Sequence, residues 1–438
     1  MTHPLPENSL PDADAGARAY ALAQELFPIC RSITGPGVRQ TLAILARDIP
    51  ELTIHEIPSG TECFDWTVPP EWSVREAYIE SEGGQRVVDF RNSNLHLVSY
   101  SVPVDRTMSL EELRPHLHSL PALPDAIPYV TSYYEPRWGF CLSHRQLMAL
   151  EPGNYRVRVD STLVPGSLTY GEIILPGPSA DEIFLSTYIC HPSLANNELS
   201  GPVVASELVR WIRALPRRWL TYRVVFIPET IGSITYLSRC LPELRERVIA
   251  GLNLTCIGDE RAYSYLPSRR GNTLADRAAI HALKHHAPSF TRYSFLDRGS
   301  DERQYCSPGV DLPVASIMRS KYGTYPEYHT SLDDLSLVSA AGLAGGIEAV
   351  AKAILTIEAN RIYRVTTRCE PQLGRRGLYP TLGAAAGRHV GRLLADILAY
   401  CDGEHDLLSI AELLGVPAWE LAPLVRQLAD AELIEGIE

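Results

Sequence analysis

Four short polar segments carry the residue types that hydrolytic metal chemistry needs. They are CHPSLANNELSG at residues 190–201, PETIGS at 228–233, GSDERQY at 299–305 and YHTSLDD at 328–334. Together they hold two histidines, His191 and His329, with the carboxylates Glu198, Glu229, Asp301 and Glu302. Imidazole and carboxylate are the ligand set of Zn2+, and a nearby Glu can act as base toward a metal-bound water. The rival catalytic patterns do not occur. His55-Glu56 has no second His at H-E-x-x-H spacing, no serine sits in G-x-S-x-G, and no G-x-G-x-x-G follows a strand. None of the three lysines, Lys284, Lys321 and Lys352, follows a Gly, which excludes a Walker-type phosphate loop. Metal-assisted hydrolysis is the chemical class that survives.

These segments sit among apolar runs that predict alternating strands and helices. Strands are expected at residues 173–175, 183–189, 222–227, 252–257 and 313–317, and helices at 202–215, 234–248, 274–286 and 335–357. Such alternation implies an α/β sheet covered on both faces, where ligands gather at the carboxyl ends of strands. Two amphipathic helices at 15–27 and 38–49 precede it, and the chain then changes character. Residues 61–151 have Trp, Pro and Tyr in short alternating runs, which reads as a β-rich insertion. Helical segments at 390–400, 410–414 and 419–431 resemble a winged helix-turn-helix. The expected division is an α/β domain of 1–60 and 152–365, an inserted subdomain of 61–151 and a winged helix of 366–438.

The phrases YICHPS, ANNELSG, PETIGS and GSDERQY, in this order, resemble the zinc aminopeptidase superfamily of leucyl aminopeptidases and glutamate carboxypeptidases. More closely, the chain is similar to an aminopeptidase-like branch with an inserted β-rich subdomain and a C-terminal winged helix. The resemblance implies a mixed sheet flanked by helices, and five ligands holding two zinc ions. His191 matches the first ligand, His329 the last, and Glu229 the catalytic Glu. Three positions depart from the pattern: Asn197, Thr230 and Thr255 stand where carboxylates are expected. With that charge gone, one zinc at most is expected, held by His191, His329 and one carboxylate. Glu198 is the first choice, with Asp301 and Glu302 in reserve.

Two further roles follow from the same resemblance, and the others below from the residues themselves. Glu229 takes the proton of the metal-bound water, and Tyr328 donates to the oxyanion. Arg303 either clamps a substrate carboxylate or pairs with Asp301 or Glu302. Asn196 and Asn197 either bind a substrate amine or form a turn, and the loop from Arg31 either reaches the cleft or caps a helix. Asp333 and Asp334 are expected to cap the last helix. Cys190 reads as a buried strand thiol.

Charge and cysteine usage bound the partners. The 438 residues carry 40 Lys and Arg against 52 Asp and Glu, a net charge of −12. That balance argues against nucleic acid and membrane surfaces as partners. Residues 370–438 alone hold five Arg and eleven acids, so the winged helix lacks the basic face of a DNA reader and fits protein contact or homo-oligomer formation instead. Nine unpatterned Cys and an N-terminus without a leader pattern fit the cytoplasm. The expected activity is cleavage of an amide bond in a small peptide or amino-acid conjugate, within natural-product or polysaccharide biosynthesis. A non-catalytic binding protein and a DNA-binding regulator are the alternatives.

Overall fold

The computed structural model describes residues 9–378 and 385–437. Residues 1–8, the start of the stretch read for a leader, lie outside them. An eight-stranded mixed sheet organises the α/β domain. Its strands lie in the order Thr53–Pro58, Ser167–Leu175, Thr221–Ile227, Glu182–Tyr188, Val248–Asn253, Val314–Met318, Ser264–Leu266 and Thr291–Arg292. The four from Thr221–Ile227 to Val314–Met318 run parallel, and their flanks are antiparallel. Central strands buried on both faces favour apolar runs, and VVFI at the end of Thr221–Ile227 and the largely apolar VASIM supply them. Helices Ala15–Leu26, Ser200–Ala214, Leu274–His286 and Ala340–Ala359 pack on this core. The last is long and apolar enough to cross a membrane, yet 67% of that stretch is buried inside the fold as a core helix.

The insertion builds a four-stranded antiparallel sheet in the order Arg86–Asp89, Glu71–Ser81, Asn154–Val164 and Val104–Ser109. Asn154–Val164 pairs along nearly all of Glu71–Ser81, so the insertion's sheet extends beyond the boundary expected at residue 151. Strand alternation reveals that a segment is half-buried, but not which sheet it joins. From the same insertion, the segment around Tyr129 reaches back to the loop of His329. Tyr129 N–H donates to the His329 carbonyl at 2.8 Å, and Ser331 N–H donates to the Ile127 carbonyl at 2.8 Å.

At the C-terminus, strands Asp402–Asp406, Ile362–Val365 and Ile434–Ile437 form a small antiparallel sheet with three helices, a winged helix. Its central strand begins at Ile362, ahead of the expected start at 366. The third helix, Ala418–Asp430, is the one whose N-terminal residues enter a groove in DNA-reading relatives of this motif. Here that end is turned inward. Ala418 N–H donates to His281 Nε2 at 2.9 Å, and Trp419, 5% exposed, packs into the core of the α/β domain. Arg277 adds two hydrogen bonds to Asp406, at 2.7 and 2.8 Å.

His281 makes this docking sensitive to pH. Burial holds its pKa below the ordinary 6.5 despite the Glu412 carboxylate at Nδ1, while Lys284 and His285 oppose protonation further. A depressed folded-state pKa gives stability that is complete above the unfolded value and lost as pH falls below it. Thermal midpoints of the full chain are therefore expected to drop between pH 7.5 and 5.5, and to drop less in His281→Gln. Parallel profiles for the two proteins would refute this.

Candidate active site

The parallel strands deliver the polar segments to one edge of the sheet. His191 follows Glu182–Tyr188, Glu229 follows Thr221–Ile227, and His329 lies in the loop after Val314–Met318. Between Cys190 and helix Ser200–Ala214 the chain makes a buried π-helical turn, Ala195–Leu199, which aims Glu198 at His191. Gly201 allows this turn to press on the strand ends, since a Cβ there would lie 2.3 Å from Thr187 Oγ1 and 2.4 Å from the Leu254 carbonyl.

A cavity of about 330 Å³ opens above, lined by His191, Glu229 and His329, by Cys190, Thr230 and Arg303, and by an aromatic wall of Trp66, Tyr129, Tyr133 and Tyr134. His191 Nδ1 hydrogen-bonds Glu198 Oε2 at 2.7 Å, while Nε2 faces Glu229 Oε2 at 3.6 Å. Burial opposes protonation of His191, but the Glu198 and Glu229 carboxylates outweigh it and raise its pKa. His329 is the opposite case. Burial, reinforced by His191, pushes its pKa down to about 3, and its Nε2 is buried without a hydrogen-bond partner. Tyr129 presents its ring edge to both imidazoles, with centroids 5.1 and 5.2 Å away. Burial raises the pKa of Glu229, against the pull of His191 and Arg303.

Arg31 is the site's unexpected cation. Fully buried, it donates from Nε to the His191 carbonyl at 2.9 Å and from Nη1 to the Leu26 carbonyl at 2.8 Å, and it lies 3.3 Å from Glu198 Oε1. Glu198 is thus held behind His191, between that imidazole and Arg31, and it does not line the cavity. This geometry sets Glu198, expected as the carboxylate ligand beside His329, behind His191 and off the cavity wall. A carboxylate on the far nitrogen of a ligating His instead orients it and fixes its tautomer. One group of three donors among the described residues, Cys190, His191 and Glu198, does lie within 4.8 Å of one another. It is buried, and the adjoining guanidinium already balances its carboxylate.

Neither reserve carboxylate lines the cavity: Glu302 is engaged at both oxygens, and Asp301 at Oδ1, with its Oδ2 buried and unpartnered. Glu302 accepts from Gly299 N at 2.8 Å, Ser300 N at 3.0 Å, the Tyr322 hydroxyl at 2.6 Å and Asn253 Nδ2 at 3.0 Å, so it is a structural anchor. Asp301 accepts from Thr230 N and Ser233 Oγ, both at 2.8 Å. Burial and then Glu229 push its pKa up to about 7. It fastens Thr230 at φ 63°, a left-handed backbone rare outside Gly, and so positions the neighbouring Glu229.

Asn196 and Asn197 lie beneath the cavity. Asn196 spends its side chain on Asp259 and the Gly258 amide, and Asn197 Nδ2 donates to the Tyr188 hydroxyl at 2.6 Å. Neither lines the cavity, which leaves the turn-forming role of the two readings. Asp333 receives their backbone amides at 2.6 and 2.9 Å, whereas Ser339 caps Ala340–Ala359, the last helix of the α/β domain. Tyr328 stacks on His329 with centroids 3.9 Å apart and stays outside the cavity lining. Thr255 bonds the same Tyr188 hydroxyl at 2.6 Å as Asn197 does. Two positions expected to be carboxylates therefore form a neutral cluster. Arg303 lines the cavity and pairs with neither acid beside it in sequence.

Zinc fits the cavity-facing donors. His191 and His329 stand with ring centroids 5.5 Å apart, and Glu229 lies 3.6 Å from His191 Nε2, where a base would face the metal side of that imidazole. His329 offers an uncommitted, neutral Nε2 on the same wall, although outside the tightest donor group. Sequence reasoning missed Arg31 as an ion-pair partner, Tyr129 and Trp66. The run Tyr129 to Tyr134, with three Tyr in six residues, was the available signal.

Comparison with known proteins places this site in context. A family model for a domain of unknown function, DUF4910, matches residues 20–360, and a winged helix-turn-helix model matches residues 361–436. A Clostridium acetobutylicum protein is 44% identical over 401 residues, covering 91% of this chain and 92% of its own. It is provisionally named a polysaccharide biosynthesis protein with an aminopeptidase-like domain. A crystal structure from that organism, provisionally named a peptidase, matches with a TM-score of 0.91 and 42% identity over 97% of each chain. A zinc aminopeptidase from Bacillus subtilis shares the fold, with a TM-score of 0.57 at 13% identity, over 77% of this chain and 95% of that one.

Proposed function

Since the chain belongs to the family of the domain of unknown function DUF4910, we propose that it is a hydrolase that cleaves an amide bond in a small peptide or amino-acid conjugate, with one zinc ion bound. The observation that carries this reading is the set of His191 Nε2, Glu229 and the unpartnered His329 Nε2 on the wall of one cavity. His191 and His329 would hold the metal, and Glu229 would face it. When bound, zinc polarises a substrate carbonyl and acidifies a water.

The protein's own groups do the rest. Glu198 accepts from His191 Nδ1, which leaves Nε2 as the donor toward the cavity. Glu229 receives the proton of the attacking water at its carboxylate and returns it to the leaving amine. Burial favours the protonated form of Glu229, which suits that second step. Asp301 and Arg303 hold Thr230, and through it the Glu229 backbone. The aromatic wall excludes water from the reacting bond.

The neutral cluster of Asn197, Tyr188 and Thr255 supports a single metal rather than a pair. The same cluster favours the second reading, a protein that binds its ligand without turnover. The relative's name supports a place in polysaccharide biosynthesis. Nine free thiols suit a reducing cytoplasm. The inward docking of the winged helix supports a protein-contact role over DNA reading. A panel of dipeptides and N-acyl amino acids tests the activity. Amine release is expected to stop on addition of 1,10-phenanthroline and to return with zinc. Release that is indifferent to the chelator would contradict the proposal.

A further inference from the structure

Arg303 and two aromatic residues, Trp66 and Tyr134, are exposed where they line the cavity. The guanidinium is exposed, lines the cavity and donates to Thr230 Oγ1. Among the described residues, no carboxylate lies within ion-pair distance of it. Elsewhere in this acidic chain Arg18, Arg39, Arg223, Arg261 and Arg277 each meet one. The two acids that precede it in sequence are bonded elsewhere. Asp301 is taken by Thr230 and Ser233, and Glu302 by Gly299, Ser300, Tyr322 and Asn253. A positive charge is therefore left over, facing the space that holds Glu229.

Opposite it stand Trp66 and Tyr134, brought from separate parts of the insertion. They are 39% and 50% exposed and meet edge to face, with centroids 5.5 Å apart. Tyr134 also has φ 66°, a backbone cost that a surface ornament would not require. Exposed aromatic surface rimming a cavity is characteristic of ligand contact.

We propose that Arg303 receives a free carboxylate of the substrate while Trp66 and Tyr134 pack against a large apolar or aromatic group next to it. The proposal rests on the reading of this cavity as the substrate site. A carboxylate suits the place better than a phosphate, because Arg303 is the one arginine or lysine among the described residues that line the cavity and the Glu229 carboxylate shares it. Guanidinium and carboxylate match in a two-pronged pair. A volume of about 330 Å³ lies at the small end of ligand sites and suits a dipeptide or an acylated amino acid.

The test is calorimetric titration of the full-length Glu229→Gln chain with Gly-Tyr and with its carboxamide. The free acid is expected to bind about tenfold more tightly, as a charge-assisted pair implies. Adding Arg303→Gln is expected to abolish that difference, and Arg303→Lys to keep part of it. Trp66→Ala is expected to weaken both ligands alike. Equal affinities with Arg303 present, a difference that survives Arg303→Gln, or binding of neither peptide would overturn the proposal. Because the titration reads binding alone, it stands or falls independently of whether any amide is cleaved.

Discussion

Glu229→Gln is expected to lower turnover about 10²–10⁴-fold while the fold and the thermal midpoint stay as in the wild type. Gln keeps the shape and burial of Glu but cannot take a proton from water or return it to an amine. The carboxylate stands at the end of a parallel strand, a fifth exposed, 3.6 Å from His191 Nε2. Its N–H donates to Cys190 Sγ at 3.2 Å, and the residue after it is fixed by Asp301. The substitution therefore removes a proton carrier without removing a support. Steady-state assay of amine release with the two proteins decides the matter. Equal turnover would end the role assigned to Glu229.

The largest expected effect on stability comes from Glu198→Ala. Glu198 and Arg31 are both fully buried, and the carboxylate lies between that guanidinium and His191 Nδ1. Burial already pushes the Arg31 pKa downward, with Glu198 opposing. Removing one partner of such a pair leaves a buried charge without its counter-charge, a loss of about 3–5 kcal/mol. Chemical denaturation of the α/β domain should show it. Replacing both at once, Arg31→Met with Glu198→Leu, is expected to recover much of the loss, because apolar side chains carry no desolvation cost. A Glu198→Ala protein as stable as the wild type would show that the pair is not what holds the His191 loop.

The parallel core was legible because fully buried strands favour apolar runs, and because strand–helix alternation has few solutions. The segment around His191, Glu229 and His329 was equally legible, since polar residues that directly follow such strands stand at one edge. What the sequence did not disclose was direction. Glu198 lies seven residues from His191, and whether it would sit beside or behind the imidazole depended on the π-helical turn and on Arg31, which is 160 residues from His191 in the chain. Asn154–Val164 shows the same limit for strands, as alternation does not name a partner. The aromatic wall came from loops of the insertion whose path is set by the bonds of Ile127 and Tyr129 to the His329 loop, not by local periodicity. Asp333 was read as a helix cap by its distance from the last helix, and instead holds the turn that carries Asn196 and Asn197.

We propose that His191 and His329 hold one metal ion, in a site where Asn197 and Thr255 stand in place of carboxylates. Elemental analysis of the purified chain, with zinc counted per polypeptide, addresses it directly. About one zinc per chain is expected, lost in His191→Ala and in His329→Ala while both variants remain folded by circular dichroism. Two zinc ions per chain, or one that survives both substitutions, would contradict it.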